Sequence, residues 1–216
     1  MLRIALLILS SVILTSCQDK QNEDRQELPY YNAPNFTPIF IEKEEEVKRI
    51  ITHKIDHFSF INQNEDRISK TDLIGKIHVA NFMFTSCGSI CPNMTSNLKL
   101  VSRQFKNDNT VKLLSYTVTP WIDDPQKLKE YKQTYEIENQ NWHFLTGKKS
   151  KIYALARKSY FAEEELGFTK DSADFLHTEH FLLVDPSLRI RGIYNGTLAL
   201  EMEQLIDDIT TLKQAF

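Results

Sequence analysis

Only three of the 216 residues are cysteine, too few for a disulfide framework and one more than a single pair needs. No apolar run is long enough to cross a bilayer. The most apolar stretch, "IALLILSSVIL" (residues 4–14), falls well short of the roughly 20 residues that a transmembrane helix requires. Neither sign of charge forms a block: the formal net charge is −3, with acids and bases interspersed, so nothing marks a nucleic-acid partner. The length suits one domain with a real core and room for a short tether.

What is present begins with an export signal. Arg3 supplies a positive n-region, residues 4–14 an apolar h-region, and Thr15 and Ser16 are small residues before Cys17. The tetrapeptide "LTSC" resembles the bacterial lipobox, so Cys17 is expected to become the lipid-bearing first residue of the mature chain. That leaves Cys87 and Cys91 as a pair in an oxidising compartment, the bacterial envelope, with the domain facing the periplasm. Residues 1–16 read as signal peptide and 17–35 as a lipid-anchored tether with an extended lead-in. Residues 36–216 read as the folded domain. The tether follows from "QDKQNEDRQE", which holds no apolar residue, and the lead-in from "LPYYNAPNFTPIF", rich in proline and aromatics.

Along the domain, "KEEEVKRI" suits either a short helix or an exposed connector. "HFSFINQNEDRISKTDLIGK" reads as two strands around a polar turn at residues 62–66. "IHVANFMF" is apolar nearly throughout, as in a strand covered on both faces. Met94, Leu98, Val101 and Phe105 then recur at helical spacing, and "VKLLSYTV" reads as a second buried strand. "DPQKLKEYKQTY" predicts a helix capped by Asp124 with Pro125 in its first turn, "WHFL" a strand, and "SKIYALARKSYF" a helix capped by Ser150. "HFLLVDPSLRIRGIYNG" reads as a hairpin turning at residues 185–187, and "LALEMEQLIDDITTLKQAF" as a closing helix. This order predicts an α/β sandwich with a mixed central sheet flanked by helices, in a thioredoxin-like arrangement.

The segment "FTSCGSICPNMT" then places Cys87 and Cys91 where a buried strand gives way to a helix, at the carboxyl edge of the sheet where open α/β folds carry their sites. A helix starting near Cys87 would set both sulfurs on one face, and unpaired N–H groups at its start favour thiolate. Two thiolates suit Cu(I) or Zn(II), and a disulfide is the alternative without metal. Buried cysteines can also be plain small hydrophobes, but Gly88, Ser89 and Pro92 describe an exposed turn. Met83 and Met94 are soft donors nearby whose apolar periodicity assigns them to the core. Among the histidines, His53, His57, His78 and His143 read as surface or core residues. His177 and His180 are three apart, which in a strand sends them to opposite faces. His177, in the approach to the strand, is the better candidate third donor.

These segments resemble the SCO/SenC family of copper-binding proteins. "FTSCGSICPNMT" is followed about ninety residues later by "HTEHFLLVDPSLRIRGIYNG"; between them "TVTPWIDDPQKL" and "WHFLTGKKSKIYALA" resemble family segments, and "LPYYN" with "FTP" resembles the lead-in of bacterial members. The resemblance spans residue 36 to the C-terminus. It implies a thioredoxin-like fold holding one copper through Cys87, Cys91 and His177, as a monomer that delivers copper to, or prepares, the dinuclear copper centre of a cytochrome c oxidase subunit. Thr119-Pro120 departs from the family's usual Asp-Pro, while Asp123 matches a second acidic position and reads first as a helix cap. A different class, a thiol–disulfide oxidoreductase acting on the oxidase subunit, would use the same cysteines. Against a general oxidoreductase stand the three-residue spacer and the lack of a proline just before "HFLLV". A copper or redox sensor is a third reading. The stretch "FAEEELGFTKDSADF", before His177, is a candidate for partner contact.

Overall fold

The computed structural model describes residues 27–162 and 178–216. The expected signal and most of the tether, and the greater part of the "FAEEELGFTKDSADF" stretch, lie outside them. The elements are, in order, β1 (Tyr30–Tyr31), β2 (Pro38–Ile39), α1 (Glu44–Ile50), β3 (Ser59–Asn62), β4 (Arg67–Ser69), β5 (Ile77–Met83), α2 (Ile90–Gln104) and β6 (Val111–Thr117). There follow α3 (Pro125–Thr134), β7 (Trp142–Thr146), α4 (Lys149–Ser159), β8 (His180–Val184), β9 (Ile190–Asn195) and α5 (Ala199–Ala215). The strands join in one mixed sheet of order β2-β1-β9-β8-β5-β6-β7-β3-β4. This is the α/β sandwich expected from the chain's alternating pattern.

All seven residues of β5 are buried, and alternate side chains serve two cores. Ile77, Val79 and Met83 pack with Met94, Leu98 and Val101 of α2, Leu128 of α3 and Met202, Leu205 and Ile209 of α5. Ala80 and Phe82 pack with Ile152, Leu155 and Ala156 of α4 and with Phe58 and Phe60. Strands β5, β6 and β7 run parallel and advance in one direction across the sheet. Right-handed crossovers therefore put α2 and α3 on one face. The return from β7 to β8, on the other side of β5, carries α4 over the opposite face. The strand order thus reverses at β5, whose carboxyl end is the topological switch point where α/β sheets open a crevice.

Two local expectations are corrected and one left open is resolved. The lead-in is not merely extended: Tyr31 pairs with Ile190 and β1 pairs with β2, so it widens the sheet. Arg191 ties it down, donating to the Leu28 and Pro29 carbonyls and lying 3.8 Å from the Tyr30 ring centroid. Helix α4 starts at Lys149 after an extended Lys148 without a side-chain cap, so Ser150 lies inside its first turn. The turn out of β7 is taken by Gly147, where an added Cβ would meet the Phe60 ring at 2.6 Å. The segment that suited helix or connector is helix α1, with Glu44, Glu45 and Glu46 in its first turn, Lys48 and Arg49 in its last, and Val47 buried.

One core residue sets an acid limit. His78 is fully buried on β5, with Nε2 3.1 Å from the Tyr160 hydroxyl and Nδ1 without a partner. Burial pushes its pKa down to about 3. His143 is lowered to about 4, first by burial and then by Lys112 and Lys132. Both rings are neutral in the fold and take protons near pH 6.5 when unfolded. Stability is therefore unaffected above that pH and falls as pH drops through the window down to about 4 and 3. Urea midpoints measured from pH 7.5 to 4.5 should decline, each ring contributing up to about 1.4 kcal/mol per pH unit. His78→Phe should remove one proton's share of that slope.

Candidate metal centre

Where β5 ends, the chain makes a turn through Cys87, whose N–H donates to the Phe84 carbonyl at 3.3 Å, and then enters α2. The helix begins at Ile90, with Ser89 at its N-cap position making no side-chain cap bond. Cys87 therefore lies outside the helix and Cys91 in its first turn, a correction to the expectation that both ride one helical face. The two still meet: both thiols are free, and each lies within hydrogen-bonding reach of the other.

Their environments differ in kind. Cys87 is half-buried, and Cys91 is buried against the core with Met83 and Met94. Burial pushes the Cys87 thiol up, but the backbone N–H groups of Cys91, Ser89 and Ile90, together with the Cys91 side chain, more than offset it; the net shift is downward. The helix start thus spends its open donors on a sulfur rather than on a cap. Burial raises Cys91 to about 12, reinforced by the neighbouring Cys87 and only partly opposed by backbone contacts at Phe84 and at Cys91 itself. The pair is one thiol eased toward ionisation and one held against it.

A second cluster stands beside the motif. Asp123, in the loop between β6 and α3, is fully buried and accepts from Thr85 N–H (3.2 Å), Thr85 Oγ1 (2.5 Å), Thr117 Oγ1 (2.5 Å) and Thr119 Oγ1 (2.9 Å). It is not the cap of α3. That is Asp124, which accepts from Lys127 N–H at 2.8 Å as expected from the sequence. Thr119, standing where the family's usual acidic residue is absent, belongs to this cluster. No sequence spacing pointed to it, because Thr85 comes from a segment distant from the one that holds Thr117, Thr119 and Asp123.

Met83 and Met94, 2% and 1% exposed, are core residues. His53 has Nε2 2.8 Å from the Ser159 carbonyl oxygen, His143 is within hydrogen-bonding distance of Asn62, and His57 is exposed. His180 opens β8, exposed, with Nδ1 3.3 Å from the Thr178 hydroxyl. Its neighbour Phe181 faces the α2 core and Leu182 the α4 core, so strand alternation turns His180 away from the cysteines' side. His177 and Cys17 lie outside the described residues. Among the described residues no cluster of three or more His, Cys, Asp or Glu side chains forms a metal site, and no helix is long and apolar enough to cross a membrane.

Two soft sulfurs, one half-buried and one backed by the core, are a donor set for a thiophilic ion with room for a third ligand, and equally a pair able to close a disulfide. Comparison with known proteins narrows the setting. A SCO1 homologue of Bacillus subtilis is 32% identical over 174 residues, covering 78% of this chain and 89% of its own. BsSco, described as a member of the Sco family of cytochrome c oxidase assembly proteins with a disulfide switch, has a solved structure that superposes with a TM-score of 0.64. It is 30% identical, covering 76% of this chain and 95% of its own. A SCO1/SenC family lipoprotein of Bacillus anthracis superposes with the same TM-score, 0.64, at 29% identity, over 76% and 96% of the two chains. More distant structures of the same fold include Sco proteins solved with copper bound. The family model described as SCO1/SenC matches residues 48–214, and with it the chain belongs to the SCO1/SenC family.

Proposed function

We propose that this protein is a copper carrier of the cell envelope, anchored by lipid on Cys17, which holds one copper ion through Cys87, Cys91 and His177. It hands that ion to, or prepares, the dinuclear copper centre of a cytochrome c oxidase subunit. The observation that carries the reading is the unequal thiol pair at the switch point of the sheet. Cu(I) prefers few, soft donors, and a site that is half exposed can be entered by an incoming thiolate. The oxidase setting is supported by the description of BsSco, and the anchor by the "LTSC" tetrapeptide and the lipoprotein of Bacillus anthracis.

His177 is supported by topology. Strand β8 runs antiparallel to β5 with Leu182 opposite Ala80; two residues further along each strand stand His180 and Phe82. The chain therefore enters β8 from the edge at which Cys87 lies, and Thr178 is the residue next to His177. In the carrier cycle, Cys87 is the ligand an acceptor thiolate displaces first, because it is the exposed one. Cys91, with its back to the core, releases last. Loss of two electrons and two protons from the thiols would close the disulfide and remove both donors. That same chemistry is the second reading, a thiol–disulfide oxidoreductase for the oxidase subunit, favoured by the lowered pKa of Cys87.

Anaerobic titration of the reduced protein with Cu(I) should give one-to-one binding. Cys87→Ser, Cys91→Ser and His177→Ala should each weaken it by tenfold or more, and His180→Ala should leave it unchanged. If His180→Ala abolishes binding and His177→Ala does not, the third ligand is misassigned. Without copper at pH 7, iodoacetamide should modify Cys87 well before Cys91, read by mass spectrometry of the peptides. Equal rates would contradict the thiol asymmetry.

A further inference from the structure

Asp123 offers a chemistry that neither capping nor core packing needs. A carboxylate removed wholly from water requires a cation or several donors. Here four donors come from three threonines, two of the four from Thr85. Thr117 is the last residue of β6, and Thr119 opens the loop that Asp123 closes, its carbonyl accepting the Ile122 and Asp123 N–H groups. Thr85 belongs to the other side of the crevice, two residues before Cys87. The carboxylate therefore ties the cysteine turn to the end of the neighbouring strand.

The consequence reaches the sulfur through the backbone. Cys87 stands at the amino end of α2, just before the Ser89 N-cap, and the turn that puts it there contains no proline and leaves Ser86, Gly88 and Ser89 exposed. The Cys87 N–H to Phe84 bond, at 3.3 Å, is a weak internal tie. The Thr85 bonds to Asp123 are the strong external one, since a hydroxyl donating to a carboxylate makes a short, charge-assisted bond.

We propose that Asp123 is a positioning residue for the thiol pair: acting through Thr85, it clamps the turn between β5 and α2 so that the Cys87 sulfur stays seated on the amino end of α2. The inference rests on the reading of Cys87 and Cys91 as the working pair but not on which ion they carry. Asp123 touches neither sulfur and neither gives nor takes a proton in this role. The same bonds fix the loop bearing Trp121 and Ile122, 57% and 49% exposed, at a set place beside the cysteines.

The test compares reduced wild-type protein with Thr85→Val, Thr85→Ser and Asp123→Asn. It reads iodoacetamide rates at Cys87 and Cys91 at one neutral pH, well below each variant's melting temperature. Thr85→Val keeps the shape and loses the hydroxyl, so Cys87 should slow by about three- to tenfold, the scale of one hydrogen bond, while Cys91 stays unchanged. Thr85→Ser should restore the wild-type rate, and Asp123→Asn should slow Cys87 as well. A lowered melting temperature in Thr85→Val with an unchanged Cys87 to Cys91 rate ratio would make the cluster a structural tie only and overturn the proposal. A faster Cys87 in Asp123→Asn would also overturn it, since the carboxylate would then be acting on the thiolate by repulsion. Thr85 is partly exposed, so its two variants decide the matter even if Asp123→Asn does not fold. A copper titration that fails while the Thr85→Val slowing persists would sink the copper reading and leave this inference standing.

Discussion

The structure hangs on the burial of β5 from both faces. Seven consecutive residues without exposure leave the backbone no register but one, with β6 parallel on one side and β8 antiparallel on the other. Because the strand order reverses at β5, the chain leaving it emerges into a crevice rather than onto a packed helix end. The cysteine turn inherits its position from that strand. Its weakness is that a turn leaving a rigid strand is held at one end only until α2 begins, and the Asp123 cluster supplies a second anchor from β6.

Helix α2 makes the two thiols unequal. A helix start carries open N–H groups and partial positive charge, and α2 has no acidic residue in its first turn and no side-chain cap to absorb them. Cys87, just before the helix, receives that field, whereas Cys91, one turn later, is pressed into the core of Met83, Met94 and Leu98. The three-residue spacer is what separates the two environments. The difference in local dielectric and donors, not any difference between the sulfurs themselves, lowers the pKa of one thiol and raises that of the other.

Much of this was legible in the residues. The strands of the central sheet follow from apolar runs, α2 from its spacing of Met94, Leu98 and Val101, and the α3 cap from Asp124-Pro125. The thiol pair announced itself by type and position. What was not legible depended on contacts between distant segments. The lead-in looked merely extended because its pairing partner Ile190 and its clamp Arg191 lie far along the chain. Ser150 looked like a cap because sequence does not show that Gly147 turns tightly against Phe60. Asp123 looked like a cap for want of any sign that Thr85, Thr117 and Thr119 converge on it.

The departure at Thr119 bears on how the site tolerates charge. An acidic side chain at that position would bring a second carboxylate next to the buried Asp123, and two anions in one low-dielectric cluster repel strongly. A threonine there does the opposite, adding a hydroxyl donor at 2.9 Å. With three threonines the carboxylate needs no cation, so no lysine or arginine has to stand beside the cysteines to neutralise it. A positive group in that place would compete with a copper ion for the thiolates and would itself lower the Cys87 pKa. In this chain backbone N–H groups and the Cys91 side chain, rather than a cation, lower the Cys87 pKa and leave the sulfur partly open. An arrangement of that kind leaves Cys87 free either to hold a soft cation or to be approached by another thiol.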